Sequence, residues 1–243
     1  MKDCIIIGSG NAFNTDARGH CSFLLDSIFL IDCGPTILLK RESLNIDFSK
    51  IKVVLITHFH GDHFAGLPFL VLYFEYILKR KEILYILGPK HIKNQYWALM
   101  NLIYPNININ FTIEFVEIQN TYTFQNYQIT PYPITHKEES IGYKIFDGNH
   151  SFAFSGDTIL DENVYPLYDN IDVGIIELSL KENANHTSHV SLEELILNRS
   201  KIKAKKLYFN HLYDELAEEV RKINQLNPEF GTPLYDGMRI CFE

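Results

Sequence analysis

A chain of 243 residues with 46% apolar and 21% charged side chains is long enough to bury a substantial core and too ordinary in composition to be fibrous or disordered. Its 22 basic against 30 acidic residues give a formal charge of -8, which opposes any binding that rests on phosphate neutralisation alone. The most apolar helical stretch, Phe69 to Leu78, is interrupted by Glu75 and falls well short of the roughly 20 residues of a membrane span, so no membrane partner is expected.

The amino-terminal Met1-Lys2-Asp3-Cys4-Ile5-Ile6-Ile7 has too short an apolar run for a signal peptide, and a cytoplasmic protein is expected. Apolar alternation and short apolar runs predict strands over 5–8, 22–25, 29–32, 53–57, 83–87, 112–118, 128–134, 141–146, 151–155, 173–177 and 206–210. Helical spacing falls over 36–41, 65–80, 90–103, 192–198 and 215–224. No linker or repeat divides the chain, so residues 1–243 are expected to form one domain of two packed sheets with helices outside. Phe69-Leu70-Val71-Leu72-Tyr73-Phe74 reads as core, with a homodimer interface as the alternative. Cys4, Cys21, Cys33 and Cys241 form no Cys-x-x-Cys pair and are expected to be reduced, small buried hydrophobes; Cys33 stands out because Asp32-Cys33-Gly34 ends an apolar strand. The basic clusters Lys79-Arg80-Lys81 and Lys201 to Lys206 read as solvated helix ends.

Chemistry concentrates after the strand at Val53. Thr57-His58-Phe59-His60-Gly61-Asp62-His63 holds three imidazoles and a carboxylate within six residues, a density that suits a metal site. Nitrogen and oxygen donors favour zinc, with iron and manganese as competitors.

The His-x-His-x-Asp-His pattern after an apolar strand resembles the metallo-β-lactamase-fold hydrolases. The resemblance extends upstream to Gly8-Ser9-Gly10 and Phe29-Leu30-Ile31-Asp32-Cys33-Gly34, and downstream to Pro133-Ile134-Thr135-His136, Phe154-Ser155-Gly156-Asp157-Thr158 and Phe209-Asn210-His211-Leu212. It implies an α/β, four-layer αββα sandwich of two mixed sheets. It also implies two divalent ions, one on His58, His60 and His136 and the other on Asp62, His63 and His211, with Asp157 bridging. A hydroxide between them is the implied nucleophile.

Ile175-Ile176-Glu177-Leu178-Ser179, together with His189 placed 22 residues before His211, is similar to the branch of ribonuclease Z and its shorter phosphodiesterase relatives. That likeness implies that Glu177 orients His189, which assists P–O cleavage, while Asp62 both ligates and orients the attacking water. His186 is an alternative for the role of His189; His20 could approach the cavity from an early loop but reads as structural, and His91 and His150 as surface residues. Only 21 residues separate His136 from Asp157, too few for the protruding arm with which ribonuclease Z grips transfer RNA. The expected substrate is a small nucleotide-like phosphodiester or single-stranded RNA. Thioester or lactone hydrolysis is the second enzyme reading, and a noncatalytic metal-binding interaction protein is the reading from another class.

Overall fold

Alternation of apolar residues decides how the first strand sits. In β1 (Asp3–Gly8), Cys4 and Ile6 enter the core between the sheets while Ile7 turns to the opposite face, the period-two geometry of a strand. A computed structural model of the chain describes residues 1–13, 15–182 and 188–243. The first half continues through β2 (Ser22–Leu25), β3 (Phe29–Ile31), α1 (Ile37–Ser43), β4 (Val53–Leu55), α2 (Gly61–Phe64), α3 (Leu67–Leu72), β5 (Leu84–Gly88), α4 (Ile92–Ile103) and β6 (Ile113–Glu117). The second runs β7 (Tyr122–Phe124), β8 (Tyr127–Pro133), β9 (Ile141–Phe146), β10 (Ser151–Phe154), β11 (Ile171–Glu177), α5 (Leu192–Asn198), β12 (Ala204–Asn210), α6 (Asp214–Leu226), β13 (Thr232–Pro233) and β14 (Arg239–Cys241).

Among the described residues these strands make two seven-stranded mixed sheets, β14-β1-β2-β3-β4-β5-β6 and β13-β12-β11-β10-β9-β8-β7. Their inner faces share a core that includes Phe23, Phe29, Tyr143 and Phe152. Ile37, Leu70, Phe74, Tyr96 and Met100 from α1, α3, α4 and the turn after α3 cover the first sheet, and Leu195, Leu216 and Val220 from α5 and α6 help cover the second. The result is the αββα order of layers that the sequence suggests. β3 to β6 and β10 to β13 run parallel within their sheets. Parallel strands end together, so the loops after them gather on one edge of the sandwich.

Several details depart from the sequence reading. The predicted helix over 65–80 is broken. Gly66 donates its N–H to Cys33 O at 2.8 Å and packs so closely on the loop after β3 that a Cβ would lie 2.1 Å from Gly34 O. That docking separates α2 from α3, and Tyr73–Ile77 then wind as a π-helix. β7, β13 and β14 were not expected; they are edge strands of two or three residues, and the β7–β8 hairpin turns through Gln125 at φ 55° without a Gly signal. Cys241 is exposed, not buried, because it lies on an edge strand at the chain end, whereas Cys4, Cys21 and Cys33 are buried. Arg80 is not a solvated helix end: its guanidinium is buried and donates to the carbonyls of Glu82, Ile51 and Ile83, in the segments that lead into β4 and β5. His150 is half-buried rather than on the surface, with its ring 5.8 Å from that of Phe242. Leu70, Val71 and Phe74 are core as expected, while Phe69 remains 39% exposed. No described helix is long and apolar enough to cross a membrane.

Candidate metal centre

Five strand ends place the site. Asp32 follows β3, Thr57 and His58 follow β4, Asp157 follows β10, Glu177 is the last residue of β11, and His211 follows β12. The backbone is held in unusual conformations here: Asp32 and His211 have φ of 54° and 64°, the left-handed region that non-glycine residues rarely occupy. Gly156 needs its φ of 65° and its missing Cβ, which would stand 2.8 Å from Thr57 Cβ. That close approach seats Asp157 beside the end of β4.

Two donor clusters result, His58, His60, His136 and Asp157 in one, and Asp62, His63, Asp157 and His211 in the other, the ligand atoms of each lying within 4.8 Å of one another. Asp157 divides its two oxygens between them. Oδ2 lies 3.7 and 3.8 Å from Nε2 of His58 and His136, and Oδ1 lies 3.1 and 3.5 Å from Nε2 of His63 and His211. Asp62 Oδ2 is 3.3 Å from His63 Nε2 and 3.1 Å from His211 Nε2. Three of these buried atoms, His58 Nε2, His63 Nε2 and Asp157 Oδ1, have no hydrogen-bond partner, and they face one another. Buried polar atoms without partners are costly unless something satisfies them. A pair of divalent cations fits both the donor set and these orphaned atoms.

The imidazoles are fixed from behind. Asp32 accepts from His63 Nδ1 at 2.7 Å and from the Thr57 hydroxyl at 2.9 Å, and that hydroxyl lies 3.0 Å from His58 Nδ1. Glu177 repeats the device in the other sheet. It accepts from His189 Nδ1 at 2.8 Å and from the Ser179 hydroxyl at 2.6 Å, and that hydroxyl lies 2.6 Å from His211 Nδ1. Each hydroxyl has one proton, which goes to the carboxylate, so its oxygen must accept from the histidine Nδ1–H. Nε2 of His58 and His211 is thereby left unprotonated toward the clusters. His136 reaches the same state by donating from Nδ1 to Ser188 O at 2.7 Å, while His60 presents Nδ1, 3.2 Å from His136 Nε2.

Ser179→Ala removes the only acceptor described for His211 Nδ1–H. The expected outcome is a 10- to 100-fold weaker affinity for a divalent ion at the cluster of Asp62, His63, Asp157 and His211, about the loss usual when such a supporting partner is removed, with that of the His58, His60 and His136 cluster unchanged and Ser179→Thr restoring it. Competition against a chromophoric chelator measures both affinities.

Burial is the largest influence on most of these groups. It lowers His58, with His63 adding repulsion, and brings His136 down to about 4, so both are neutral and ready to ligate at neutral pH. Burial alone raises Asp62 and Asp157, but His211 and His63 outweigh it and hold both carboxylates below their ordinary range. Burial opposes protonation of His189, yet its hydrogen bond and charge interaction with Glu177 prevail and raise its pKa.

The structure therefore brings together His58, His60, Asp62, His63, His136, Asp157 and His211, with Glu177 and His189 beside them. His189 sits between the clusters, its ring 5.1 Å from that of His136 and 5.4 Å from that of His211. His186 lies outside the described residues. His20 is half-buried close by, with Asp62, His63 and His211 among the charges acting on it and Nδ1 without a partner; His91 is exposed. Cys33 is buried among the apolar residues under the helices, and it is Cys21 that lies near the centre, 3.9 Å from Asp32 and accepting from Asn210 Nδ2 at 3.0 Å. Asp32, Thr57 and Ser179 were missed as functional residues; Asp32 and Thr57 carried a signal as the ends of the strands expected over 29–32 and 53–57, and Ser179 only as the close of the Glu177 segment. A cavity of about 750 Å³ opens at the other ends of β4 and β5, beside Lys52, Ile83 and Tyr85, and contains none of these groups.

Solved structures share this fold. Human tRNase Z, short form, superposes with a TM-score of 0.78 at 20% identity over 99% of both chains. The metallo-β-lactamase fold protein YhfI from Bacillus subtilis gives 0.76 at 20% identity over 98% of each, and a diphosphatase from the PhnP family gives 0.74 at 22% over 100% of this chain and 98% of that one. The fold is that of the metallo-β-lactamases. In sequence, ribonuclease Z of Pyrococcus horikoshii is 31% identical over 146 residues, 59% of this chain and 47% of that protein. Ribonuclease Z of Saccharolobus islandicus is 36% identical over 148 residues, 60% and 49% of the two chains. The chain spans about half the length of these curated relatives. A family model described as "Anti-Pycsar protein Apyc1" matches residues 3–227. With nearly its whole length matched, the chain belongs to the Anti-Pycsar protein Apyc1 family.

Proposed function

We propose that this protein is a dinuclear metal-dependent phosphodiesterase acting on a small, nucleotide-like substrate. His58, His60 and His136 would hold one ion and Asp62, His63 and His211 the other, with Asp157 shared; zinc is the proposed metal. When bound, such ions lower the pKa of water toward about 7 and offset charge on a phosphoryl oxygen. The anti-Pycsar role in the family's description comes to this chain as part of the same proposal.

The observation that carries the reading is the placement of His189. Glu177 Oε1 accepts from its Nδ1 at 2.8 Å, and Nδ1 is 4.0 Å from Asp157 Oδ2, so the ring stands over the shared carboxylate with a fixed tautomer. When the ring is protonated its Nε2–H can donate to the oxygen that leaves phosphorus, and Glu177 raises the pKa in favour of that charged form. Asp62 would hold the attacking water in line while serving as a ligand. A thiolate leaves a thioester without needing a proton, so thioester cleavage does not call for an acid at this position. Transfer RNA is not the proposed substrate: between His136 and Asp157 lie only β9, β10 and short loops, and the chain is acidic.

The test is a turnover panel with zinc-loaded protein on a phosphodiester, a thioester and a lactone. Phosphodiester hydrolysis, abolished by chelation and restored by zinc, is expected. Preferred turnover of either other ester, or none of the three, would reject the proposal.

A further inference from the structure

At the end of the sandwich opposite the metal centre, the parallel strands begin rather than end. The segments that lead into β4 and β5, the turn between β2 and β3, and Phe124 of β7 enclose a cavity there of about 750 Å³. That volume is within the roughly 300–1,000 Å³ of small-molecule sites. Lys52 and Thr57 flank β4, so an extended strand puts the cavity roughly 15 Å from the metal ligands. It is a separate site.

Its lining has two parts. Ile28, Ile51, Ile83, Tyr85 and Phe124 make the apolar part, between the edges of the two sheets. The Tyr85 and Phe124 rings meet edge to face at 5.4 Å, and Phe124 meets Phe29 behind it in the same way at 5.9 Å. This backing fixes the rings, while Tyr85 and Phe124 stay half-buried and present surface to the cavity.

The other part is cationic. Lys50 and Lys52 are exposed, and among the described residues neither ammonium is hydrogen-bonded or ion-paired; Asp47 and Glu82 act on them only at longer range. Arg80 is in the wall as well, buried, and its partners are neutral backbone carbonyls rather than a carboxylate. A buried charge without a counter-charge is costly. Of the carboxylates that line the cavity, Asp26 is committed elsewhere: Oδ1 accepts from Asp3 N–H at 3.2 Å and Oδ2 from the Tyr127 hydroxyl at 2.8 Å. That leaves Glu82, exposed on the rim, against three cations.

We propose that this cavity binds a small amphipathic anion, an aromatic carboxylate or sulfonate, with its rings against Tyr85 and Phe124 and its acid group toward Lys50, Lys52 and Arg80. The apolar part gives the body of such a molecule more surface to bury than inorganic phosphate offers, and the cations distinguish an acid from a neutral alcohol of the same shape. The proposal does not depend on what the metal centre cleaves.

Calorimetric titration of the zinc-loaded protein with naphthalene-2-sulfonate, and with 2-naphthalenemethanol as its neutral counterpart, tests this. Wild type should bind one sulfonate per chain, more tightly than the alcohol. Lys50→Gln combined with Lys52→Gln should weaken the sulfonate about 2- to 30-fold, the range of two exposed ion pairs, and leave the alcohol unchanged. Ile83→Glu, at a 38% exposed position on the rim, should weaken both. In isotope-labelled wild type the sulfonate should shift the amide signals of Lys52, Ile83, Tyr85 and Phe124, which distinguishes this cavity from anion capture by the metals. No binding of the sulfonate, equal affinity for sulfonate and alcohol, undiminished affinity in the double lysine variant, or binding that leaves those four amides unshifted would overturn the proposal.

Discussion

Asp157→Ala is expected to lose both metal ions and to reduce phosphodiester turnover by more than about 10³-fold, because water without the ions returns to a pKa of about 15.7 from about 7. The size of the effect follows from position. One carboxylate faces Nε2 of four histidines, with Oδ2 toward His58 and His136 and Oδ1 toward His63 and His211. Removing it takes a donor from both clusters at once, unlike the loss of a histidine that belongs to one. Elemental analysis after gel filtration measures the metal, and circular dichroism melting separates metal loss from unfolding. A folded variant that keeps two ions and normal turnover would contradict the shared role of Asp157.

The second large effect is at His189. His189→Ala should retain both metals, since the two clusters are complete without it, and should lower kcat by about 10²–10⁴-fold on an alkyl phosphodiester, the usual contribution of a positioned acid. The loss should shrink on a nitrophenyl ester, whose leaving group departs without a proton. Equal losses on the two esters would reject the role as leaving-group acid. Glu177→Gln gives a pH signature. Glu177 raises the pKa of His189 against the opposing influence of burial. The protonated, active ring is fully populated below its ordinary pKa and is lost as pH rises through the raised one. Without the carboxylate charge that loss must come earlier, so the alkaline limb of the kcat profile should move to lower pH. An unmoved limb would detach Glu177 from the acid.

The parts of the site that could be read from the chain are those whose chemistry is local. His58, His60, Asp62 and His63 announce themselves within six residues, and His136, Asp157 and His211 stand at ends of apolar runs. The layers were legible for a related reason, because strands buried on both faces such as β3 and β4 read as unbroken apolar runs. What escaped depends on distance in the chain. Thr57 and Ser179 matter because single hydroxyls bridge Asp32 to His58 and Glu177 to His211, and no pattern within a short window reports a bond across 25 or 32 residues. Arg80 looked like a solvated helix end because its three partners are backbone carbonyls of the segments before β4 and β5, and backbone acceptors have no sequence signature. The break at Gly66 is set by contact with Gly34, again a tertiary constraint overriding helical spacing.

The central claim, that two ions share Asp157 and together support phosphodiester hydrolysis, is tested most directly by adding zinc stepwise to metal-free protein while following turnover of methyl 4-nitrophenyl phosphate. Activity should rise with added metal and level off at two equivalents per chain, with Asp157→Ala showing no rise over the same range. A plateau at one equivalent in the wild type, or zinc uptake without any turnover, would contradict it.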